Sequence, residues 1–196
     1  ENAKVCLMIW TTTPWTLAAN LAVAAHPHLE YTSITYDRNG ETMVSIVVTD
    51  RLEAVTEAGQ LADYNVSDIK VKGRDLEGIR YKHPFVEKNP TQKDAYKVIN
   101  AEYVTTEDGT GLVHIAPGHG IEDYISGLAS GLEVYSPVKA DGCYDDTVPE
   151  WLKGKNVLEI DPQVNNYLNE KGLLFAQTEI SHSYPHCWRS KGPVIF

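Results

Sequence analysis

Two stretches concentrate side chains capable of chemistry. The first runs from Trp10 to Asn20, WTTTPWTLAAN, and sets Thr11, Thr12 and Thr13 between two tryptophans before breaking at Pro14. Threonine favours strands and proline ends them, so one reading is a strand that simply stops. The other is a rim of short hydroxyls around a small pocket. The second stretch, DGTGLVHIAPGHGIEDY, runs from Asp108 to Tyr124. A glycine-bounded turn there leads into a strand, the strand ends at Pro117, and a GHG loop opens a helix whose first turn holds Glu122 and Asp123. Leu112, His114 and Ala116 share one strand face, so His114 points where Leu112 points. Taken alone, His114 reads more readily as a satisfied core histidine than as a functional one, and Asp123 as a carboxylate stabilised by the helix dipole.

Several chemistries are excluded. His114 and His119 are separated by Pro117 and two glycines, which matches no zinc signature, and neither HExxH nor paired CxxC occurs. The C-terminal HSYPHCW offers His182, His186 and Cys187 without a second cysteine to follow. Ser126 and Ser130 sit in a helical stretch with no G-x-S-x-G elbow, and there is no phosphate-binding glycine loop.

The elements that must position these residues are short and β-rich. Segments 4–11, 30–37, 41–48, 68–73, 95–104, 110–116 and 173–181 read as strands, several alternating apolar with polar. Asn39 and Gly40 read as a hairpin turn. Three helices interrupt the strands. One runs from Asp50 to Ala58 behind a Thr49/Asp50 cap. A second runs from Ile121 to Leu132, with Ile121, Ile125, Leu128 and Leu132 as its apolar stripe. A third runs from Pro162 to Lys171, with Asp161 as N-cap and Gly172 as stop. The expected fold is mainly β with α insertions, a closed β-barrel-like core decorated by helices, in a single domain over residues 1–196.

Composition narrows the setting. The chain has 196 residues and a formal net charge of -10, which argues against a protein that grips nucleic acid over its whole surface. The local basic stretch Lys70 to Arg74 reads as a solvated strand edge. Three scattered cysteines form no disulfide framework, so a reducing cytoplasm is expected. No apolar run reaches membrane-spanning length. The opening Glu1 and the apolar ending GPVIF suggest a piece of a longer polypeptide.

Taken together, TTTPWTLAANLA and GTGLVHIAPGHGIEDY resemble the editing domain inserted into isoleucyl-tRNA synthetases. GIRYKHPF (78–85), GLEVYSPVKADGCY (131–144) and HSYPHCWRSKGPVIF (182–196) extend the resemblance over nearly the whole chain. Related valine and leucine enzymes carry TTRPET and TTRPDT, so Thr13 and Trp15 point to isoleucine. Ala18 and Ser190 depart from the family pattern, and the synthetic-site signatures HIGH and KMSKS are missing.

The resemblance implies a hydrolytic site for valine mischarged on tRNA(Ile), and for valyl-adenylate. A synthetic site gains only about 1–3 kcal/mol from one methylene, so a second site must remove what the first admits. Isoleucine against valine is the standard illustration of that limit. By this resemblance Asp123 holds the α-ammonium, while His114, Trp10, Trp15 and Tyr184 wall the side-chain pocket. Thr11, Thr12 and Thr13 surround the ester and ribose, and Asn20 is a further polar position. The reaction expected is attack by a positioned water without metal or other cofactor. The implied partners are the tRNA acceptor end and the remainder of the synthetase, in a monomer with no membrane contact. Two alternatives are an editing domain tuned to another amino acid, of the valyl or leucyl type, and an inert RNA-binding or structural module.

Overall fold

The computed structural model describes residues 3–178, 184–189 and 191–195. In chain order the strands are β1 (Lys4–Leu7), β2 (Ala22–Ala25), β3 (Glu30–Arg38), β4 (Glu41–Val48), β5 (Asn65–Val66), β6 (Val71–Lys72), β7 (Lys97–Asn100) and β8 (Leu112–Ile115). They form two mixed sheets. In the larger, β4 lies between a parallel β1 and an antiparallel β3, and β3 also pairs with the two-residue strands β5 and β6. In the smaller, β2 is central, parallel to β7 and antiparallel to β8.

Alternating burial along β3 and β4 fixes their register, and the turn between them places Asn39 at φ 55° and Gly40 at φ 79°, the left-handed geometry an Asn-Gly hairpin requires. The closed barrel expected from the strand count is not formed. The sheets make an open half-barrel, because β5 and β6 are too short to carry a hydrogen-bond ladder round to the second sheet. β2 is a strand without sequence signal: all four residues of Ala22–Ala25 are buried, so no polar alternation marks it. Residues 173–178 form no strand, and 179–181, His182 and Ser190 lie outside the described residues.

Three helices accompany the sheets: α1 (Leu52–Ala58), α2 (Ile121–Ala129) and α3 (Asp161–Glu170). No side chain caps α1, whose start is a 3-10 turn over Thr49–Arg51 rather than a Thr49/Asp50 cap. α2 stops short of Leu132 because Gly131 turns left-handed at φ 74° and the Leu132 N–H returns to the Gly127 carbonyl at 2.8 Å. Its stripe does not face the core: Ile121 is 75% and Ile125 61% exposed, and Leu128 is exposed with them. α3 buries Val164 and Leu168 among Leu152, Val157 and Ile160, each side chain adding about 1.5–3 kcal/mol by burial. Trp15, Leu17 and Ala18 belong to the same cluster, so α3 backs the threonine stretch. Among the described residues no helix is long and apolar enough to cross a membrane.

Candidate active site

The threonine stretch is not a strand. Pro14–Ala19 is a 3-10 helix, with proline in its first turn, where the missing N–H costs nothing. The turn folds the hydroxyls onto one another. Thr11 Oγ1 accepts the Thr13 N–H at 3.0 Å and lies 3.4 Å from Thr13 Oγ1, which in turn lies 3.1 Å from Thr16 Oγ1. Thr16 Oγ1 is also 2.8 Å from the Thr13 carbonyl and 3.1 Å from His114 Nε2.

One hydroxyl carries one proton, and the shorter contact to the Thr13 carbonyl takes it. Thr16 therefore accepts from His114 Nε2–H, which assigns the imidazole its tautomer. Nδ1 is left as a bare acceptor, buried and without a hydrogen-bond partner among the described residues. Burial, with His83 and His119 nearby, lowers the His114 pKa to about 4, so the ring is neutral at physiological pH.

β8 carries His114 in register with Val23 of β2, and two residues on, the Ala116 N–H donates to Asp123 Oδ2 at 2.8 Å. The carboxylate in the first turn of α2 thus reaches back to the residue that follows β8. Asp123 is half-buried, and loss of hydration raises its pKa although the Ala116 bond pulls the other way.

The tryptophans separate. Trp10 is exposed and bridges Val113, and with Tyr103 and residues 108–113 it lines a cleft of about 230 Å³. Arg51 holds the far wall of that cleft by donating from Nε to the Gly109 carbonyl and from Nη1 to the Glu107 carbonyl, each at 3.2 Å. Trp15 is buried, its ring edge-on to His119 with centroids 5.0 Å apart. His119 in turn borders a second cleft of about 280 Å³ with Ser136, Val138, Lys139, Gly142 and Ile195.

No family model matches the chain. It is 49% identical over 204 residues to the isoleucine–tRNA ligase of Thermococcus kodakarensis, covering 98% of this chain and 18% of that protein. Against the isoleucine–tRNA ligase of Nitratidesulfovibrio vulgaris (strain DP4) the identity is 45% over 196 residues, covering 100% and 20%. Against that of Persephonella marina it is 42% over 193 residues, covering 98% and 19%. The chain belongs to the isoleucine–tRNA ligase family. It spans about a fifth of the length of these relatives. Among solved structures, GlLeuRS-CP1 aligns with a TM-score of 0.66 at 17% identity, covering 92% of this chain and 87% of that one. The P. falciparum cytosolic leucyl-tRNA synthetase editing domain (space group P1) aligns at 0.62 and 11%, covering 88% and 79%. The fold is that of these synthetase editing domains.

Within this family segment, the structure links Thr11 and Thr13 through Thr16 to His114, while Asp123 meets the same segment separately, at the Ala116 N–H just past β8. Thr12 is exposed at the rim. Asn20 is buried with its amide engaged: Nδ2 donates to the Ala22 carbonyl at 2.8 Å, and Oδ1 accepts from the Tyr81 hydroxyl. Tyr184 sits in segment 184–189, its ring edge-on to His186.

Four further participants carry no sequence signal of the contacts they make here, because each has a partner distant in the chain. They are Thr16, His83, Tyr144 and Asp161. His83 Nε2 donates to the Leu17 carbonyl at 2.9 Å, while Nδ1 accepts from the Phe85 and Val86 N–H groups at 3.2 and 2.9 Å. That pattern also fixes a neutral ring, whose pKa burial lowers to about 4.

Proposed function

We propose that this chain hydrolyses the ester of valine mischarged on tRNA(Ile), the editing reaction of an isoleucyl-tRNA synthetase, and accepts valyl-adenylate in the same site. The observation that carries the reading is the hydroxyl and imidazole chain Thr11, Thr13, Thr16 and His114, which ends on the strand whose following residue, Ala116, holds the Asp123 carboxylate, on an editing-domain fold.

Asp123 has one oxygen on the Ala116 N–H and the other to offer an α-ammonium, a charge-assisted contact that orients an aminoacyl group. His114 is held rigid by Thr16, which suits a wall that excludes the extra methylene of isoleucine. With its pKa lowered to about 4 and its bare Nδ1 buried, it is a weak general base. The Thr11 and Thr13 hydroxyls are weak nucleophiles without an activating base. Positioning of a water by these dipoles against the ester carbonyl therefore carries the reaction, and no metal is needed. Asn20, with its amide turned inward, serves as a support of the turn.

The test is deacylation of valyl-tRNA(Ile) and isoleucyl-tRNA(Ile) by the chain and by His114→Ala. Release of valine alone by the wild type, and of both amino acids by the variant, is the expected result. No valine release, or unchanged selectivity in His114→Ala, refutes the reading.

A further inference from the structure

Trp15 is held by both of its peptide groups. Its N–H donates to Asp161 Oδ1 at 2.8 Å, and its carbonyl accepts from the Tyr144 hydroxyl at 2.5 Å. These partners lie 146 and 129 residues further along the chain. Asp161 opens α3, and Tyr144 is buried in the cluster that anchors that helix.

A six-residue 3-10 helix has few hydrogen bonds of its own, so its place against β8 depends on such tethers. The next residue of the turn is Thr16, which orients His114, and the Trp15 ring rests on His119, which borders the second cleft. Movement of this one turn would displace Thr13, Trp15 and Thr16 together. Valine and isoleucine differ by one methylene, so slack of about one C–C bond, roughly 1.5 Å, is enough to erase a size filter.

We infer that Asp161 and Tyr144 are specificity-determining positioning residues: they pin the Trp15 turn against His114 and so set the largest amino-acid side chain the site admits. The inference rests on the editing reading. Asp161 therefore does more than favour the start of its own helix. Its carboxylate ties the C-terminal cluster to the threonine turn.

The test is calorimetric titration of the chain with non-hydrolysable 3′-aminoacyl-adenosine analogues carrying valine or isoleucine. The wild type, Tyr144→Phe, Asp161→Ala and Asp161→Asn are compared, with circular dichroism to establish folding. The wild type is expected to prefer the valyl analogue by about tenfold or more. Tyr144→Phe and Asp161→Ala are expected to lose most of that preference by gaining isoleucyl affinity. Asp161→Asn keeps an oxygen for the Trp15 N–H and is expected to retain it. If Asp161→Ala does not fold, Tyr144→Phe, which removes a single oxygen, decides. A wild-type preference kept in folded Tyr144→Phe overturns the inference and leaves the editing reading standing. So does equal loss in Asp161→Asn and Asp161→Ala. A wild type that binds neither analogue, or both alike, overturns the editing reading and the inference with it.

Discussion

Thr16 Oγ1 lies 3.1 Å from Nε2 of His114, and the two residues are 98 positions apart in the chain. Because the Thr16 proton is committed to the Thr13 carbonyl, this contact is donated by the imidazole, and it determines which ring nitrogen stays bare. A threonine with no charge and no obvious chemistry thereby controls the orientation and tautomer of this buried histidine.

Thr16→Val keeps the shape of the side chain and removes its hydroxyl. His114 Nε2–H and Thr13 Oγ1 then lose their shared partner inside the protein, which costs about 1–3 kcal/mol. Urea unfolding at pH 7 measures the loss. Thr16→Ser, which keeps the hydroxyl, is expected to fall between valine and wild type. A valine variant as stable as wild type would mean that the hydroxyl chain is not formed.

Asp123 has two separable tasks. Its Oδ2 holds the Ala116 N–H, and in the proposed function its charge meets the substrate ammonium. Asp123→Asn retains an acceptor oxygen and loses the charge, so it is expected to fold with near wild-type stability and to lose binding of a valyl-adenosine analogue. Asp123→Ala is expected to lose binding and, in addition, about 1 kcal/mol or more of stability from the orphaned amide. Full analogue affinity in Asp123→Asn would remove the carboxylate from substrate recognition.

Acid should weaken the fold well before the carboxylates titrate. His83 and His114 protonate at about 4 in the folded chain, against 6.5 ordinarily, chiefly because burial strips their hydration. The unfolded chain takes up these protons first as pH falls, so stability present at pH 7 is lost progressively from about pH 6.5 down to pH 4. At pH 5 the loss is about 1–2 kcal/mol per histidine. Asp123 and Asp161 act in the opposite sense. Burial raises both, so as pH falls towards the ordinary carboxylate range the folded state binds their protons first and recovers part of the loss. The urea midpoint should therefore fall between pH 7 and pH 5, and less so in His83→Gln. A midpoint flat over that range would contradict the buried neutral imidazoles.

What the sequence disclosed and what it hid follow the range of the interactions involved. β3, β4 and their Asn39-Gly40 turn were legible because alternation and turn chemistry are local. So was the end of α3 at Gly172, which adopts φ 66°. β2 was not, since a strand buried on both faces and made mostly of alanine shows no period. The site residues themselves stood out as a group only through the family motifs. The contacts that arrange them were invisible, because Thr16 with His114, Trp15 with Asp161 and Leu17 with His83 are all long-range pairs. Asp161 shows the limit well: a residue placed as the cap of its own helix caps the threonine turn instead.

The two amphipathic helices provide a direct test of pattern against environment. α2 and α3 each present apolar residues at helical spacing, yet α3 buries Val164 at 1% exposure while α2 leaves Ile121 at 75% and Ile125 at 61%. Periodicity records that a face is apolar and says nothing about what covers it. Substitution at α2 should accordingly be almost free. Ile125→Gln removes apolar surface already in water and replaces a β-branched residue with a better helix former, so its effect is expected within about 0.5 kcal/mol of zero. Val164→Ala deletes two methyl groups from a filled cluster and is expected to cost about 1–3 kcal/mol. Paired urea unfolding curves of the two variants decide the matter. A cost for Ile125→Gln as large as that for Val164→Ala would show that the α2 stripe is covered when the chain is in solution.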